Sequence, residues 1–455
     1  MAARSVCVTD VFDKSPITSF HIKVYFLCLC VIILDGFDLV IIGVTLPKIA
    51  QYLHAGSTAL GLAIGAGQMG PLIGAILIGM LSDRWGRKKS LVISALIFGF
   101  FTMLTTTVGT VPQLALLRFL AGIGLGGAIP NALALGCEYA PGPRRSFITA
   151  MMWAGMPLGS VIASFVAAWL LPHHGWQSLF WVGGIPPILV GVMVAMFLPE
   201  SLAFLVRQGK DKLAIRNIIS KISPAMAADR ETEFYGNEKK LAGVPVKHLF
   251  TEGRAFTTIA IWLLFFLSFY LLWVMLSWTP TLLRHAGASI QQYSVAYAFL
   301  NLGSLVAALV IGRLMDKFDV YHVLEIWFVL AFITVSIFGL GANHSFMVVA
   351  ILAGITGLFV NGGNSGLMAL GTISYPTSIR GSGIGWAYGV GKVGSMLGPV
   401  VGGVLLARSW SVGRICVVNG LSGLLIAVII VVLGRHAFAA RRKAVPEMAS
   451  AASAH

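Results

Sequence analysis

Two carboxylic acids, Asp35 and Asp38, stand in the middle of the apolar run VIILDGFDLVIIG, residues 31–43. Spaced i,i+3, they project from one side of a helix. An acid at the centre of a membrane-crossing helix costs about 2.5–3.5 kcal/mol on insertion scales. A pair is tolerated there only if it faces a cavity, meets partners or carries protons. Burial and a like charge nearby both oppose ionisation, so the two acids are a candidate proton-binding pair that titrates as one coupled unit. Gly36, between them, leaves room for a neighbouring helix. The structural alternative is an acid held by a basic residue elsewhere in the chain.

Two cations also sit at membrane depth. Arg118 opens the apolar run RFLAGIG, and Lys392 lies inside GVGKVGSMLGP. A cation in such a place normally faces the interior of a helix bundle and marks a ligand or ion path. A carboxylate ligand needs such a partner. Lys392 is the first candidate, and Arg118, nearer the outer end of its run, is the second. Lys392 has the alternative of a salt bridge to Asp35 or Asp38, and Arg118 that of reaching out to the headgroups. Asn301, Asn361 and Asn364 offer amides for ligand hydroxyls, because an amide facing lipid is left unsatisfied. Trp386, Tyr388 and Trp273 offer ring faces for stacking, with lipid-facing anchoring as the commoner use of such rings. Trp278, beside Pro280, reads as an interfacial anchor.

The elements that position these residues are long apolar helices. Of the 455 residues, 57% are hydrophobic and only 11% are charged, against about 25% charged in soluble domains. Twelve apolar blocks centre within 24–46, 58–82, 90–110, 113–137, 147–171, 178–198, 255–279, 292–314, 322–342, 345–370, 381–406 and 414–434. Each is near the roughly 20 residues that a bilayer core requires. The runs are too long and continuous for barrel strands. The expected fold class is an all-α polytopic membrane protein with twelve transmembrane helices.

Charge placement gives the orientation. With a cytoplasmic N-terminus, only Lys48, Arg284, Arg408 and Arg414 of the 32 Lys and Arg residues fall on outer loops. Arg118 and Lys392 lie within spans, and the rest fall on the N-terminus, the opposite loops and the tail. That positive-inside pattern puts both termini in the cytoplasm. It also accounts for the net charge of +15 without nucleic acid, for which no motif is present. The first 21 residues lack a cleavable-signal pattern, so the first span is expected to be retained. Cys7, Cys28, Cys30, Cys137 and Cys416 are scattered and give neither a disulfide framework nor a metal spacing. No nucleophile–His arrangement stands out. GVGKVG lacks the Ser or Thr of a phosphate loop, and AGIGLGG fits G-x-G-x-x-G only inside a span, where small residues serve helix packing. Neither an enzyme nor a cofactor is expected.

Six spans precede residue 199 and six follow residue 254. The chain therefore reads as an N-terminal six-helix bundle (1–198), a polar linker (199–254), a C-terminal six-helix bundle (255–440) and a tail (441–455). The linker opens with PESLAFLVRQGKDKLAIRNIISKI, which reads as short amphipathic helix on the cytoplasmic face. The halves echo each other. GMLSDR (79–84) follows the second span and GRLMDK (312–317) the eighth; YAPGPRR (139–145) ends the fourth and YPTSIR (375–380) the tenth. Such echoes fit parallel repeats in a transporter.

The loop GMLSDRWGRKKS (79–90) resembles the signature of the major facilitator superfamily, Gly-x-Leu-x-Asp-Arg-x-Gly-Arg-Lys. Gly79, Leu81, Asp83, Arg84, Gly86, Arg87 and Lys88 all match. The resemblance implies two six-helix bundles, with a conformational role for Gly79, Asp83, Arg84, Gly86 and Arg87. Within that superfamily, LDGFDLVIIG, RFLAGIGLGGAIPNALALGCEYAPGPRR and FLPESLAFL resemble the aromatic acid:proton symporter family, over roughly residues 20–435. This implies import of benzoate-, hydroxybenzoate- or phenylpropionate-like anions with protons, by alternating access, in a bacterial inner membrane. Protons would be the coupling ion and the monomer the working unit. Glu138, Tyr139, Pro141 and Arg144 match the family pattern Glu-Tyr-x-Pro-x-x-Arg, which implies a gating salt bridge; a plain solvated loop is the alternative. Asp316 and Arg380 have the same standing in the second half. The family usually carries arginine where this chain has Lys392, and lysine loses the flat bidentate fork for a carboxylate. Transport of non-aromatic organic acids, or drug/proton antiport on the same fold, is the competing reading.

Overall fold

A computed structural model describes residues 5–7, 17–208, 212–222, 233–235, 246–251, 253–376 and 379–452. Parts of the linker, residues 377–378 of the second YPTSIR echo and the last three residues of the tail lie outside the described residues. The chain divides into two compact units, Met1–Leu241 and Ala242–His455.

The first unit holds α1 (Ser19–Tyr52), α2 (Ser57–Gly67), α3 (Met69–Trp85), α4 (Arg87–Leu104), α5 (Val111–Glu138) and α6 (Arg145–Phe197). Two short helices follow, α7 (Leu202–Gln208) and α8 (Lys212–Ile222). The second unit holds α9 (Ala255–His285), α10 (Ile290–Lys317), α11 (Val320–Leu340), α12 (Phe346–Ser374), α13 (Arg380–Ala407) and α14 (Val412–Ala452). A three-residue parallel ladder pairs β1 (Ser5–Cys7) with β2 (Glu233–Tyr235).

Among the described residues, eleven helices are long and apolar enough to cross a membrane. The longest, α6, has 53 residues and is broken at Gly175, whose φ of 75° is outside helical geometry. Unbroken, a helix of that length would reach about 80 Å, far beyond a hydrocarbon core of about 30 Å. Its two arms coincide with the fifth and sixth apolar blocks, so each of the twelve blocks falls on its own stretch of helix. Side-chain caps fix several starts: Thr110 accepts from Gln113 N at α5, Ser289 and Gln292 cap α10 reciprocally, and Asp319 accepts from Tyr321 and His322 at α11.

Packing repeats between the units. In the first, α1 packs on α6, α3 on α5, and α4 on α6. In the second, α9 packs on α13, α10 on α12, and α11 on α14. These are the first-with-fifth, second-with-fourth and third-with-sixth contacts of one six-helix plan, made twice.

Close approach of backbones makes the tightest of these contacts. A Cβ on Gly36 would lie 1.9 Å from the carbonyl oxygen of Met156, and one on Gly159 would lie 1.9 Å from that of Ile33. The two glycines thus let α1 and the first arm of α6 touch main chain to main chain. Gly394 does the same for α13 against Phe266 of α9. The linker helix α8 is amphipathic as expected. Ile215, Ile218, Ile219 and Ile222 are buried in a cluster with Val24, Leu27, Leu135 and Leu202, while Asn217, Ser220 and Lys221 stay exposed.

Because the atom facing Gly159 is backbone, no rotamer relieves the overlap. Gly159→Val is expected to lower stability by about 1–3 kcal/mol, read as an earlier thermal transition of the detergent-solubilised protein. Gly312, with nothing among the described residues within 4 Å of an added Cβ, sits in α10 and is the contrast. Gly312→Ala is expected to be neutral or to gain up to about 1 kcal/mol of helix propensity.

Candidate functional site

Asp38 and Arg118 meet in the interior of the first unit. α1 carries Asp38 inward, where it is 1% exposed, and α5 presents Arg118, 9% exposed. The guanidinium engages the carboxylate with both forks: Nη1 donates to Oδ1 at 3.0 Å and Nη2 donates to Oδ2. Thr102 of α4 donates its hydroxyl to Oδ1 at 3.2 Å and accepts from Nη1 at 3.5 Å. Phe180, on the second arm of α6, places its ring 6.0 Å from the guanidinium carbon. Four of the spans thus each contribute one group. The pairing resolves the alternatives for Arg118: it is held inside the bundle on Asp38, not at the headgroups. Asp35, one turn earlier on α1, is also buried.

The candidates of the second unit fall into separate environments. Lys392 on α13 is half-buried, with its Nζ 5.4 Å from the centre of the Tyr388 ring, one turn earlier. Tyr388 stands edge-on to Phe269 of α9 at 5.2 Å, and Phe269 stacks on Phe265. Trp386, two residues from Tyr388, points elsewhere and stacks on Trp262 at 6.1 Å. The structure therefore joins Tyr388 to Lys392 and leaves Trp386 apart. Asn301 is buried on α10, its Nδ2 donating to the Tyr297 carbonyl at 2.8 Å. Asn364 on α12 donates to the Val360 carbonyl at 3.2 Å, and its buried Oδ1 has no hydrogen-bond partner among the described residues. Asn361 is half-buried one turn before it.

Trp278 is not an interfacial anchor. It is 1% exposed, and its Nε1 donates to the Pro399 carbonyl at 2.9 Å. Trp273 is buried as well. Pro280 has no N–H for the carbonyl of Leu276, which instead accepts from the Tyr297 hydroxyl.

Several of the residues assigned to gating are organised by the segment Glu200–Gln208, which the sequence reading took as the opening of an amphipathic linker and part of a family resemblance without giving its residues a role. Gly86 turns the chain between α3 and α4 with φ 99°. Glu200 Oε1 accepts from Lys88 N at 3.0 Å and from Ser201 N at 2.9 Å, so its carboxylate caps the start of α4. A Cβ on Gly86 would lie 2.2 Å from Glu200 Oε2. At the other end of the turn, Arg207 donates to the Asp83 carbonyl at 2.8 Å and Gln208 to the Arg84 carbonyl at 3.4 Å. Glu138 completes the set: Oε2 accepts from the Ser201 hydroxyl at 2.6 Å and Oε1 from Ala203 N at 2.7 Å.

Tyr139 is buried beneath this segment, its hydroxyl donating to the Glu200 carbonyl at 2.7 Å and its own carbonyl accepting from Tyr25. Burial first, then the charges of Glu138 and Glu200, push its phenol well above the ordinary tyrosine range. Asp83, Arg84 and Arg144 are exposed, and Gly79 and Arg87 are half-buried. Asp316 is in the last turn of α10, and Arg380 donates to the Tyr375 carbonyl at 3.5 Å. The signal for Glu200 was its place directly after the sixth apolar block. Among the described residues no group of three or more His, Cys, Asp or Glu is arranged to hold a metal ion.

The chain matches the model of the Major Facilitator Superfamily over residues 28–321 and 261–452. It is 34% identical over 406 residues to the 4-hydroxybenzoate transporter PcaK of Acinetobacter baylyi, covering 88% of each chain. It is 32% identical over 441 residues to the gallate transporter of Pseudomonas putida, covering 96% of each. It is 32% identical over 385 residues to the 3-(3-hydroxy-phenyl)propionate transporter of Escherichia coli, covering 84% of this chain and 86% of that one. Among solved structures it resembles the xylose transporter XylE of E. coli in a partially occluded inward-open conformation, with a TM-score of 0.68 at 19% identity. That likeness covers 91% of this chain and 97% of XylE. It also resembles an inward-facing bacterial homologue of the lysosomal transporter Spinster, with a TM-score of 0.70 at 16% identity, covering 94% and 98%.

The buried ion pair makes a stability prediction. Arg118→Leu strands the Asp38 charge and is expected to cost about 3–5 kcal/mol. Arg118→Leu combined with Asp38→Asn removes the stranded charge and is expected to regain most of that loss. Thermal unfolding of both variants and of Asp38→Asn closes the cycle; strictly additive effects would show that the two side chains are not coupled.

Proposed function

The chain belongs to the Major Facilitator Superfamily, a family of transporters and not of enzymes, and from that premise we propose that it imports small aromatic carboxylates together with protons. The multi-pass protein would lie in the inner membrane with both termini cytoplasmic, an orientation supported by the bias of its basic loops. It would act as a monomer, by alternating access. Support for the substrate class comes from relatives named for 4-hydroxybenzoate, gallate, benzoate and 3-(3-hydroxy-phenyl)propionate.

One observation carries the coupling: the buried Asp38–Arg118 pair with Thr102 on the same oxygen. While Asp38 is ionised, it holds both forks of the guanidinium. A proton delivered to Asp38 cancels the charge that holds Arg118. The freed fork then suits another carboxylate, because Arg presents two parallel N–H donors to both oxygens. When that anion leaves, Arg118 draws Asp38 back and favours loss of the proton. Proton and substrate thus bind together and leave together. Asp35 lies one turn earlier on the same helix and would take part in the same proton exchange. One charge crossing 100 mV supplies about 2.3 kcal/mol.

In the second unit, Lys392 over Tyr388 offers a cation beside a ring. The open acceptor of Asn364 suits a phenolic hydroxyl. Both features favour a hydroxylated aromatic anion over an aliphatic one.

The experiment is uptake of labelled 4-hydroxybenzoate into proteoliposomes with the acidic side outside. Accumulation is expected to collapse on addition of a protonophore, and uptake indifferent to the gradient would reject proton coupling. Asp38→Asn imitates the protonated acid. It is expected to lose at least tenfold of gradient-driven accumulation while keeping counterflow exchange of substrate across the membrane. Competition by benzoate and gallate, with none from aliphatic acids, is expected; the reverse order would remove the aromatic assignment.

A further inference from the structure

A groove of about 540 Å³ opens on the outside of the first unit, at the basic-loop end of α4 and the second arm of α6, lined by Trp85, Lys88, Lys89, Val92, Ile93 and Ala195. Its wall has two parts. At the top are two lysines and an indole that is 52% exposed. Below them the lining is aliphatic. Among the described residues no acid lines it, and the nearby Glu200 carboxylate is already engaged by the Lys88 and Ser201 main-chain N–H groups.

Trp85 ends the second membrane-crossing stretch, the depth at which tryptophan prefers to sit between headgroup and chain. The apolar part continues along the lipid-facing surface. Leu96 and Phe100 follow Lys89 and Ile93 at one-turn spacing on α4, and Val192 and Leu189 do so beside Ala195 on α6; all four are exposed. Four basic residues and one acid occupy positions 83–89. A cationic rim, an interfacial indole and an apolar track leading into the bilayer match one ligand class. That ligand carries a negative headgroup and a long hydrocarbon chain.

We propose that this groove is a specific site for one anionic glycerophospholipid of the leaflet on the basic-loop side. Lys88 and Lys89 hold the phosphate, Trp85 packs at the glycerol level, and an acyl chain runs between α4 and α6. Two lysines beside an anionic headgroup favour an anionic over a zwitterionic lipid by roughly tenfold or more. The inference depends on the membrane setting and not on the transported substrate.

Native mass spectrometry of the purified full chain in detergent tests it, with phosphatidylglycerol and phosphatidylethanolamine titrated separately. The wild type is expected to retain one phosphatidylglycerol at least tenfold more tightly than phosphatidylethanolamine, and glycerol phosphate in excess does not displace it. Lys88→Gln with Lys89→Gln is expected to erase that preference. Lys221→Gln with Lys317→Gln removes the same charge from exposed positions elsewhere and keeps it. Ala195→Phe fills the aliphatic part without changing charge and is expected to weaken retention at least fivefold. Equal retention of the two lipids by the wild type overturns the site, as does an equal loss in the control pair. Unchanged retention in Ala195→Phe, or displacement by glycerol phosphate, also overturns it.

Discussion

A charge removed from water must be met by another charge, and in the first unit Asp38 is met by Arg118. The cost of desolvating each ion is several kcal/mol, and mutual attraction offsets it only with good geometry and further hydrogen bonds. Both conditions hold here. The contact is bidentate, Thr102 shares it, and four spans each supply one group. Such an arrangement is a weak source of stability and a strong source of conditional behaviour. Any event that neutralises Asp38 leaves the guanidinium seeking another anion. The fold has to keep α1, α4, α5 and α6 close enough to make the pair.

Glycines meet that demand. Gly36 and Gly159 let α1 lie against the first arm of α6 with main chain touching main chain. That places Asp35 and Asp38, on either side of Gly36, at a position fixed by backbone and not by adjustable side chains. At the loop end, the Glu200–Gln208 segment ties the start of α4 and the end of α3 together through caps at both ends. Glu138 and Tyr139 hold that segment to the end of α5. The charged signature loop therefore works here through main-chain groups: the carbonyls of Asp83 and Arg84 and the N–H of Lys88 carry the contacts. Its glycine at 86 is required because a side chain there would displace the Glu200 carboxylate.

Hydropathy made nearly all of the helices legible, because lipid leaves few alternatives for an apolar block of about 20 residues. The break at Gly175 was legible only as a gap between blocks. Asp35, Asp38 and Arg118 stood out for the same reason, as charges where charges are expensive. Their pairing did not, since which helices touch is a tertiary fact. Trp278 was misjudged because the sequence shows its neighbour Pro280 and not the Pro399 carbonyl that satisfies its indole. Glu200 was read only as part of the linker and of a family resemblance, because an acid beside a span end looks like any solvated loop residue; its contacts appear only when the start of α4 comes within reach. Trp386 and Tyr388 are two residues apart, which on a helix sends them to different sides, and the structure separates them accordingly.

The two units repeat their packing but not their chemistry. The helix of the second unit that corresponds to α1 is α9, and it contains no acid; the counterpart of α5 is α12, and it contains no charged residue. Conversely Lys392 on α13 has no basic counterpart in the apolar part of the first arm of α6. Packing is preserved because ridges of small residues and backbone contacts are demanded by the plan itself. Charge is free to diverge, since the packing plan does not require a second buried ion pair and such a pair would incur the desolvation cost again. The first unit thus carries a carboxylate and a guanidinium paired in its interior. The second carries a lysine, rings and amides, among them Asn364, whose Oδ1 meets no hydrogen-bond partner among the described residues. The packing plan thus fixes backbone approach and small residues, and leaves the charged and polar residues of each unit free to differ.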